Sequence, residues 1–336
     1  MSDKIPLATQ VGGHLGIHST ADGSLIIKPC LAGEKDFYTL LTSSEHFAHL
    51  RPFVPRFLGV LRLEGSVELN DRGEVKSGEV AQIVDEGEKE SIVLENLAFP
   101  FKRPNIIDIK LGTVLWDPSA TPEKRERMEK TARETTSLET GIRLTGFQVW
   151  DPTAQTTVMI PKSYGKSIAA SELPAGVKRF IPTGSVPPRL LERMIECITH
   201  DVRKIRDAVQ ATEMRMIGGS LLIIWEGDSE TLEKAFEAWD ARTAKRNDED
   251  EGEEEDEDED EDEESEDDTG TGDITPGGTT INKPKKLGPP FLVKLIDFAH
   301  TRHALGEGPD QGVLLGLKTT LDLLDGRLKE IREAAV

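Results

Sequence analysis

The stretch Pro104-Asn-Ile-Ile-Asp-Ile-Lys-Leu-Gly112 places two charged residues inside an apolar, strand-like run. Asp108 and Lys110 are two positions apart, so in a strand their side chains project from the same face. A carboxylate beside an ammonium group suits proton abstraction next to an anionic group in transfer. Taken alone, however, such a pair is more typical of a solvated salt bridge on a strand edge.

A further carboxylate, Asp297, follows the apolar run at 291–296 directly. The sequence Ile296-Asp-Phe-Ala-His300 resembles the Asp-Phe-Gly motif of protein kinases, whose carboxylate holds magnesium on nucleotide phosphates. Ala299 replaces the glycine, so this match is weak alone. His300 and His303 are three apart, but no third ligand is evident nearby, and the pattern does not favour a separate metal site.

Hydrophobic spacing predicts the secondary structure around these motifs. In the helix expected at 187–214, apolar residues recur every three or four positions and form one stripe. Thr121 and Pro122 are typical of a helix start, and this helix is expected to reach about 138. The segment at 64–89 is expected to be a loop or hairpin. The remaining predictions are strands at 25–28, 91–94, 108–116, 142–149, 220–225 and within 290–300, and helices at 34–43, 229–245 and 310–334.

The charge is concentrated in one tract. The 336-residue chain has a formal net charge of −21, but residues 248–268 hold 19 acidic residues in 21 positions. Outside that tract 43 acidic residues face 41 basic ones, so the remainder is nearly neutral and is not typical of a sequence-specific DNA reader. Residues 246–287 are expected to be disordered. They interrupt the fold, because the strand that follows must pair with strands that precede them.

Composition excludes several classes of protein. No stretch approaches 18 consecutive apolar residues, which argues against a membrane span. The N-terminal residues lack the basic and apolar pattern of a signal peptide. Cys30 and Cys197 are the only cysteines, and they suggest neither a disulfide framework nor a zinc site. The expected location is therefore a reducing compartment, the cytosol or the nucleus.

The order of the motifs resembles one family. Pro-x-x-x-Asp108-x-Lys110-x-Gly, then Ser220-Leu-Leu222, then Ile-Asp297-Phe-Ala-His300 look like the inositol polyphosphate kinases. The resemblance spans about 10–330, with an acidic insert most like that of the fungal multikinases in this family. Further matches are Gln10-Val-Gly-Gly-His14, Phe53-Val-Pro-Arg-Phe-Leu-Gly59, Tyr164-Gly-Lys166 and Glu213-Met-Arg-Met-Ile217.

The resemblance implies an α+β fold with two lobes, similar to protein kinases, and ATP in the cleft between them. The N-lobe would cover 1–97 and the C-lobe 98–336. The implied activity is ATP- and Mg²⁺-dependent phosphorylation of inositol trisphosphate to the tetrakis- and pentakisphosphate. Two alternatives remain open: phosphorylation of inositol hexakisphosphate, and a non-catalytic nuclear transcription scaffold that uses the acidic tract.

The resemblance also assigns roles to individual residues. Asp108 and Lys110 would be catalytic and contact the substrate, and Asp297 would hold the metal on the nucleotide. The loosely patterned segment at 153–184 favours an open substrate site. The other implied ATP-binding residues are Lys28, Glu95, Asn96, Leu97, Ser220 and Leu222, and the other implied substrate-binding residues are Lys124, Arg127, Lys166 and His300.

The expected partners are inferred from the family resemblance and from the acidic tract. The family implies inositol polyphosphates as the small-molecule partners. The acidic tract favours either simple solubilisation or contact with basic proteins such as nuclear transcription factors. We expect a monomer in the nucleus and cytoplasm.

Overall fold

The computed structural model describes residues 5–6, 17–62, 90–250 and 287–334. Its strands are β1 (Ile5–Pro6), β2 (His18–Ser19), β3 (Leu25–Pro29), β4 (Phe57–Arg62), β5 (Glu90–Glu95), β6 (Pro104–Leu111), β7 (Ile142–Asp151), β8 (Thr156–Ile160), β9 (Met214–Ile217), β10 (Ser220–Glu226), β11 (Phe291–Ile296) and β12 (His300–His303). Its α-helices are α1 (Ala32–Ser43), α2 (Pro122–Glu134), α3 (Ser137–Thr140), α4 (Lys162–Ser167), α5 (Leu173–Phe180), α6 (Pro188–Gln210), α7 (Ser229–Asp250) and α8 (Gln311–Ala334). Short 3₁₀ helices cover Glu45–Phe53 and Ala170–Glu172.

The first sheet has the strand order β1-β2-β3-β5-β4, and adjacent strands in it are antiparallel. Helix α1 follows β3 and buries Phe37 and Tyr38. Phe298, just beyond β11, packs on both rings, with centroid distances of 5.1 Å to Phe37 and 5.4 Å to Tyr38. This aromatic cluster joins the first sheet and α1 to the segment that carries Asp297.

The second sheet has the order β11-β10-β6-β7-β8 and is also antiparallel. Its register places Lys110 between Ser220 on β10 and Arg143 on β7. The β6–β7 register shifts just after Asp108, as in a β-bulge. Strands β9 and β12 form a separate two-stranded sheet.

The main core lies between the second sheet and helices α5, α6 and α8. The predicted apolar stripe of α6 is buried along its length, which confirms that helix. Arg327 of α8 is also buried, and its guanidinium donates two hydrogen bonds to the carbonyl of Ile181, at 3.1 and 2.9 Å. These bonds compensate for the desolvation of that charge.

Most predicted elements are present, but three boundaries are wrong. The strand predicted at 108–116 ends at Leu111, because Gly112 turns the chain with a φ of +100°. The helix predicted to 214 ends at Gln210, and Met214 begins a strand of alternating burial. The helix predicted to about 138 ends at Glu134, where Thr135 becomes extended.

Two segments differ from the predictions in another way. Strand β8 and helices α4 and α5 lie in 153–184, where the sequence shows only loose patterning. Helix α7 continues to Asp250 and therefore includes 246–250, which the sequence assigns to the disordered insert. Asn247, Asp248 and Asp250 are weak helix formers, so intrinsic propensity does not explain this extension. The rest of that insert to 286, and the whole of the predicted loop at 64–89, lie outside the described residues.

Antiparallel sheets with separate helices make the described chain an α+β fold, as predicted. β11 pairs with β10, so the strand after the acidic insert does return to an earlier one. The boundary between lobes at 97/98 stays a prediction; it falls between β5 and β6, which belong to different sheets. Among the described helices, none is long and apolar enough to cross a membrane.

Candidate active site

Lys28 is buried at the end of β3 rather than solvated, with 6% of its surface exposed. Its Nζ lies 2.8 Å from Glu34 Oε1 on α1 and 2.9 Å from Asp297 Oδ1. Burial lowers the pKa of Lys28, but the carboxylates of Asp297 and Glu34 outweigh it and leave that pKa above its usual value. The strand therefore presents a permanent cation to the cleft.

Lys110 meets the same carboxylate from the second sheet. Its Nζ lies 2.7 Å from Asp297 Oδ2 and donates a 2.8 Å hydrogen bond to the carbonyl of Gly218. Burial would raise the pKa of Asp297, but the ammonium groups of Lys110 and Lys28 hold it well below its usual range. Asp297 has a φ of +65°, a left-handed conformation that aspartate tolerates better than most residues. The result is an ionised carboxylate held between two lysines.

Asp108 points from the same face of β6 as Lys110 and is almost completely buried. Its Oδ1 has no hydrogen-bond partner in the described part of the chain. Burial raises the pKa of Asp108, Lys110 lowers it, and the negative charge of Asp297 raises it; the net shift is upward. A buried carboxylate with a free lone pair and a raised pKa is well suited to accept a proton.

An apolar cluster lies next to these charges on the same face of the sheet. Leu97, Phe101, Ile106 and Ile224 form a buried cluster that is separate from the main core. Leu222, predicted to lie under the nucleotide, packs against this cluster and pairs with Asp108 across β10 and β6. The apolar side chains of this cluster suit contact with a flat, largely apolar ring.

The predicted hinge at 95–97 connects the two sheets. Asn96 fixes its turn, since Nδ2 donates to the carbonyl of Gly23 at 2.8 Å and Oδ1 accepts from the amide of Ala98 at 3.1 Å. The amide of Glu95 donates to Arg56 O and that of Asn96 to Ser24 O. Within the described residues the amide of Leu97 has no such partner, so it is the hinge donor left for a ligand.

Ser220 begins β10 and is fully buried beside Lys110. Its hydroxyl has no hydrogen-bond partner within the ranges the structure describes. The structure thus brings Ser220 together with Asp108 and Lys110, as the sequence motif predicts.

After β6, the carboxylate of Asp117 lies close to two predicted substrate ligands. Asp117 Oδ2 lies 3.3 Å from His300 Nδ1 and 3.7 Å from Lys124 Nζ. The Ser119 hydroxyl and amide donate to Asp117 Oδ1 and lower the pKa of Asp117, and His300 and Lys124 lower it further. Sequence reasoning missed Asp117, because Asp-Pro-Ser before a helix is typical of an ordinary turn.

Two predicted substrate ligands stand apart from this group. Arg127 is exposed on α2, and Lys166 is exposed at the end of α4. Neither makes an ion pair with another described residue. The structure therefore supports Lys124 and His300 as one cluster and leaves Arg127 and Lys166 as separate exposed cations.

Arg143 is a second residue that sequence reasoning missed. It lies on β7 opposite Lys110. Its Nε and Nη1 are buried and lack partners among the described residues. The signal in the sequence was an arginine inside the apolar run 142–149.

In the described residues, no group of three or more histidine, cysteine, aspartate or glutamate side chains has the arrangement of a metal site. Asp297 is nevertheless suited to Mg²⁺, which prefers oxygen ligands and is commonly held by one or two carboxylates together with substrate phosphates. The donor set fits an ion that arrives with a nucleotide better than a resident metal centre.

Known proteins with similar sequences were compared with this chain. The sequence model of the family described as inositol polyphosphate kinase matches 91–325. An inositol polyphosphate multikinase of Saccharomyces cerevisiae is 30% identical over 94% of this chain and 96% of its own length. The multikinase of Schizosaccharomyces pombe is 26% identical over 66% of this chain and 78% of its own length.

Solved structures agree with the sequence matches. The crystal structure of the inositol phosphate multikinase from S. cerevisiae in complex with ADP and Mn²⁺ has a TM-score of 0.61 and 25% identity, and the match covers 91% of this chain and 100% of that one. A second multikinase structure, with a TM-score of 0.55 and 17% identity, shows the same fold. Together with the ion pairs around Asp297 and the motifs that carry them, these matches establish that the chain belongs to the inositol polyphosphate kinase family.

Proposed function

We propose that this chain transfers the γ-phosphoryl group of Mg²⁺-ATP to ring hydroxyls of soluble inositol polyphosphates, from the trisphosphate to the tetrakis- and pentakisphosphate. The observation that supports this most directly is the Asp297 carboxylate between Lys28 and Lys110, with Asp108 on the same face, whose Oδ1 has no hydrogen-bond partner among the described residues. Phosphoryl transfer requires mainly positioning and compensation of charge, and these four side chains supply both.

The nucleotide binds between the hinge and the two lysines. The adenine ring packs against the apolar cluster around Leu97 and Ile224, and the Leu97 amide donates a hydrogen bond to it. Lys28 contacts the phosphates. Asp297 would hold Mg²⁺, which neutralises charge on the nucleotide phosphates.

The acceptor binds against β6. Asp108 accepts the proton of the attacking ring hydroxyl. The hydroxyl oxygen bonds to the γ-phosphorus, and the bond from that phosphorus to the bridging oxygen breaks, so that the bridging oxygen leaves with ADP. Lys110, next to Asp297, stabilises the negative charge on the transferred group. Lys124 and His300 bind phosphates already on the ring, and Arg127 and Lys166 provide additional positive charge around them.

A parallel ATP-consumption assay tests this function. Mg²⁺-ATP is offered with inositol 1,4,5-trisphosphate, with inositol hexakisphosphate or with no acceptor, and products are separated by anion-exchange chromatography. Successive tetrakis- and pentakisphosphate peaks are expected. Turnover of the hexakisphosphate alone would replace this proposal by the alternative activity, which is the one named for curated relatives that are 22–25% identical to this chain. If protein that binds ATP gives no phosphorylated product under any of the three conditions, the result would favour a role as a non-catalytic scaffold.

We further propose that the acidic tract at 248–268 is not needed for phosphoryl transfer and instead contacts basic partners, among them nuclear transcription factors, for a monomeric kinase of the nucleus and cytoplasm. The support is the concentration of charge: the tract holds 19 acidic residues, and the rest of the chain is nearly neutral. Deletion of 248–268 is expected to preserve kcat and to abolish binding to a basic protein such as a histone. Loss of kcat would contradict the proposal, and unchanged binding would leave solubilisation as the role of the tract.

A further inference from the structure

A half-buried arginine lies on the catalytic face, and it has no ion-pair partner among the described residues. Arg143 on β7 is directly opposite Lys110 on β6, and residues opposite each other in a sheet share a face. The register shift after Asp108 leaves Gly146, which has no side chain, opposite that carboxylate. Asp108, Lys110 and Arg143 therefore lie on one face of the sheet. On β7, the residue opposite Asp108 has no side chain that would separate Asp108 from Arg143.

The surroundings of Arg143 do not explain its charge as a structural feature. Its Nε and Nη1 are buried and have no hydrogen-bond partner in the part of the chain that the structure describes. Burial lowers the pKa of Arg143, and the carboxylate of Asp108 raises it. Two desolvated guanidinium nitrogens without bonded partners are costly, so the retention of Arg143 calls for another function. Arg327 shows the ordinary arrangement, with both bonds to Ile181 made.

The cations near Asp108 are unequally available. Lys28 is bonded to Glu34 and Asp297, and Lys110 is bonded to Asp297 and to the carbonyl of Gly218. Neither lysine donates a hydrogen bond to Asp108. Three carboxylates thus face three cations, and Arg143 is the one whose charge is not committed to another group.

The groups that face Asp108 come from each strand around it. Lys110 comes from the same strand as Asp108, Arg143 comes from β7, and Asp297 directly follows β11. Strand β10 contributes the uncharged Ser220 and Leu222. Asp297 opposes ionisation of Asp108, whereas Lys110 and Arg143 favour it.

We propose that Arg143 is a positioning residue whose half-buried charge keeps Asp108 a carboxylate, ready to accept the proton of the acceptor hydroxyl. This role rests on the proposed kinase function. Two of the three guanidinium nitrogens of Arg143, Nε and Nη1, are closed to solvent, which favours action through Asp108 over contact with the substrate. The side chains of Lys124 and His300, in contrast, are 42% and 38% exposed.

Three variants test this role. Arg143→Gln removes the charge, Arg143→Lys retains it, and Arg327→Gln removes a buried arginine far from the site. For each, kcat and kcat/KM are measured with inositol trisphosphate between pH 5.5 and 9, together with KM, the melting temperature and ATP binding. If Arg143→Gln does not fold, Arg143→Met replaces it, because it removes the buried polar atoms along with the charge.

The expected result is specific to an electrostatic role. Loss of the cation raises the pKa of Asp108, so a smaller fraction is ionised at low pH. Arg143→Gln is therefore expected to lower kcat/KM by about tenfold near pH 6, with the loss shrinking as the pH rises. Arg143→Lys is expected to restore most of the rate. The substrate KM stays within about twofold, and Arg327→Gln lowers the melting temperature without moving the pH profile.

Other results would overturn the inference. A KM that rises equally at every pH would make Arg143 a substrate ligand. A loss that is independent of pH, follows the melting temperature and is not restored by lysine would make it structural, and no loss at all would remove it from the mechanism. The assay of wild-type protein tests the kinase proposal separately. If that proposal fails, wild-type protein gives no phosphorylated product, whereas the outcomes above concern only the Arg143 variants.

Discussion

Lys110 Nζ lies 2.7 Å from Asp297 Oδ2, although 187 positions separate the two residues in the chain. The other carboxylate oxygen lies 2.9 Å from Lys28 Nζ, so one side chain joins the first sheet, the second sheet and the end of β11. Neither lysine is placed there by its own sheet alone. The site is a product of how the two sheets pack.

Replacement of Asp108 by asparagine is expected to abolish turnover and to leave ATP binding largely intact. The amide has nearly the same shape as the carboxylate but cannot accept a proton at neutral pH. A positioned general base typically contributes about 10²–10⁴-fold, so the loss of kcat is expected in that range. Single-turnover kinetics with inositol trisphosphate, beside a fluorescence titration with ATP, provide the measurement. An active Asp108→Asn variant would remove Asp108 from its role as base.

Asp297→Asn is expected to weaken Mg²⁺-dependent nucleotide binding while keeping the backbone unstrained. Asparagine, like aspartate, tolerates a left-handed φ such as the +65° seen here, whereas alanine does not adopt it readily. Lys28 retains Glu34 and Lys110 retains the Gly218 carbonyl, so the free energy of unfolding falls by only about 1–3 kcal/mol.

The measurement for Asp297 is an ADP titration with and without Mg²⁺. Wild-type protein is expected to bind ADP more tightly with the metal, and Asp297→Asn is expected to lose that difference. Asp297→Ala serves as the control for strain, since it should be less stable than Asp297→Asn. A variant that keeps the full effect of Mg²⁺ would show that Asp297 is not the metal ligand.

Part of this site was predictable because it depends on short-range periodicity. Asp108 and Lys110 share a face as two-residue spacing in a strand requires, and the strand at 220–225 places Ser220 beside them. The α6 helix was equally clear from its apolar stripe. Such features depend on neighbours in sequence, which a single chain displays directly.

The rest depends on contacts between distant segments. Lys28 alone was more typical of a solvated lysine; its burial follows from α1 and from Asp297, 269 positions away. Arg143 belongs to the site because of the β6–β7 register, and Asp117 because a turn meets β12. No local pattern marks Asp117, and the only local sign of Arg143 is an arginine inside an apolar run. The segment 153–184 shows that short elements packed on a sheet need little periodicity of their own.

Lys124→Ala is expected to raise the KM for inositol trisphosphate by about tenfold, with the KM for ATP unchanged. Lys124 is held within 3.7 Å of Asp117, in the cluster that includes His300, and a charged hydrogen bond to a phosphate contributes about 1.5–3 kcal/mol. Arg127→Ala is expected to have a smaller effect, because no described contact orients it. Initial rates with each substrate varied in turn give both constants.

Lys130→Ala is the matched control for Lys124, since Lys130 lies on the same helix and pairs only with Glu134 on the surface. It is expected to leave both KM values unchanged. If the KM for inositol trisphosphate rises equally in Lys124→Ala, Arg127→Ala and Lys130→Ala, the effect comes from the overall positive charge of α2 and not from one ligand. If that KM does not rise in Lys124→Ala, Lys124 is excluded as a substrate contact.

Gly165→Ala is expected to destabilise the packing of α4 on β7. A Cβ at this position would lie 1.8 Å from the carbonyl oxygen of Leu144, which is backbone and cannot rotate away. The helix must shift, at a cost of about 1–3 kcal/mol. Gly326→Ala on α8 is the control, because nothing lies within 4 Å of its Cβ and alanine is the better helix former, which favours a gain of about 0.5–1 kcal/mol. Urea unfolding of both variants against wild type measures the two effects; equal stability of Gly165→Ala and wild type would contradict the close contact between α4 and β7.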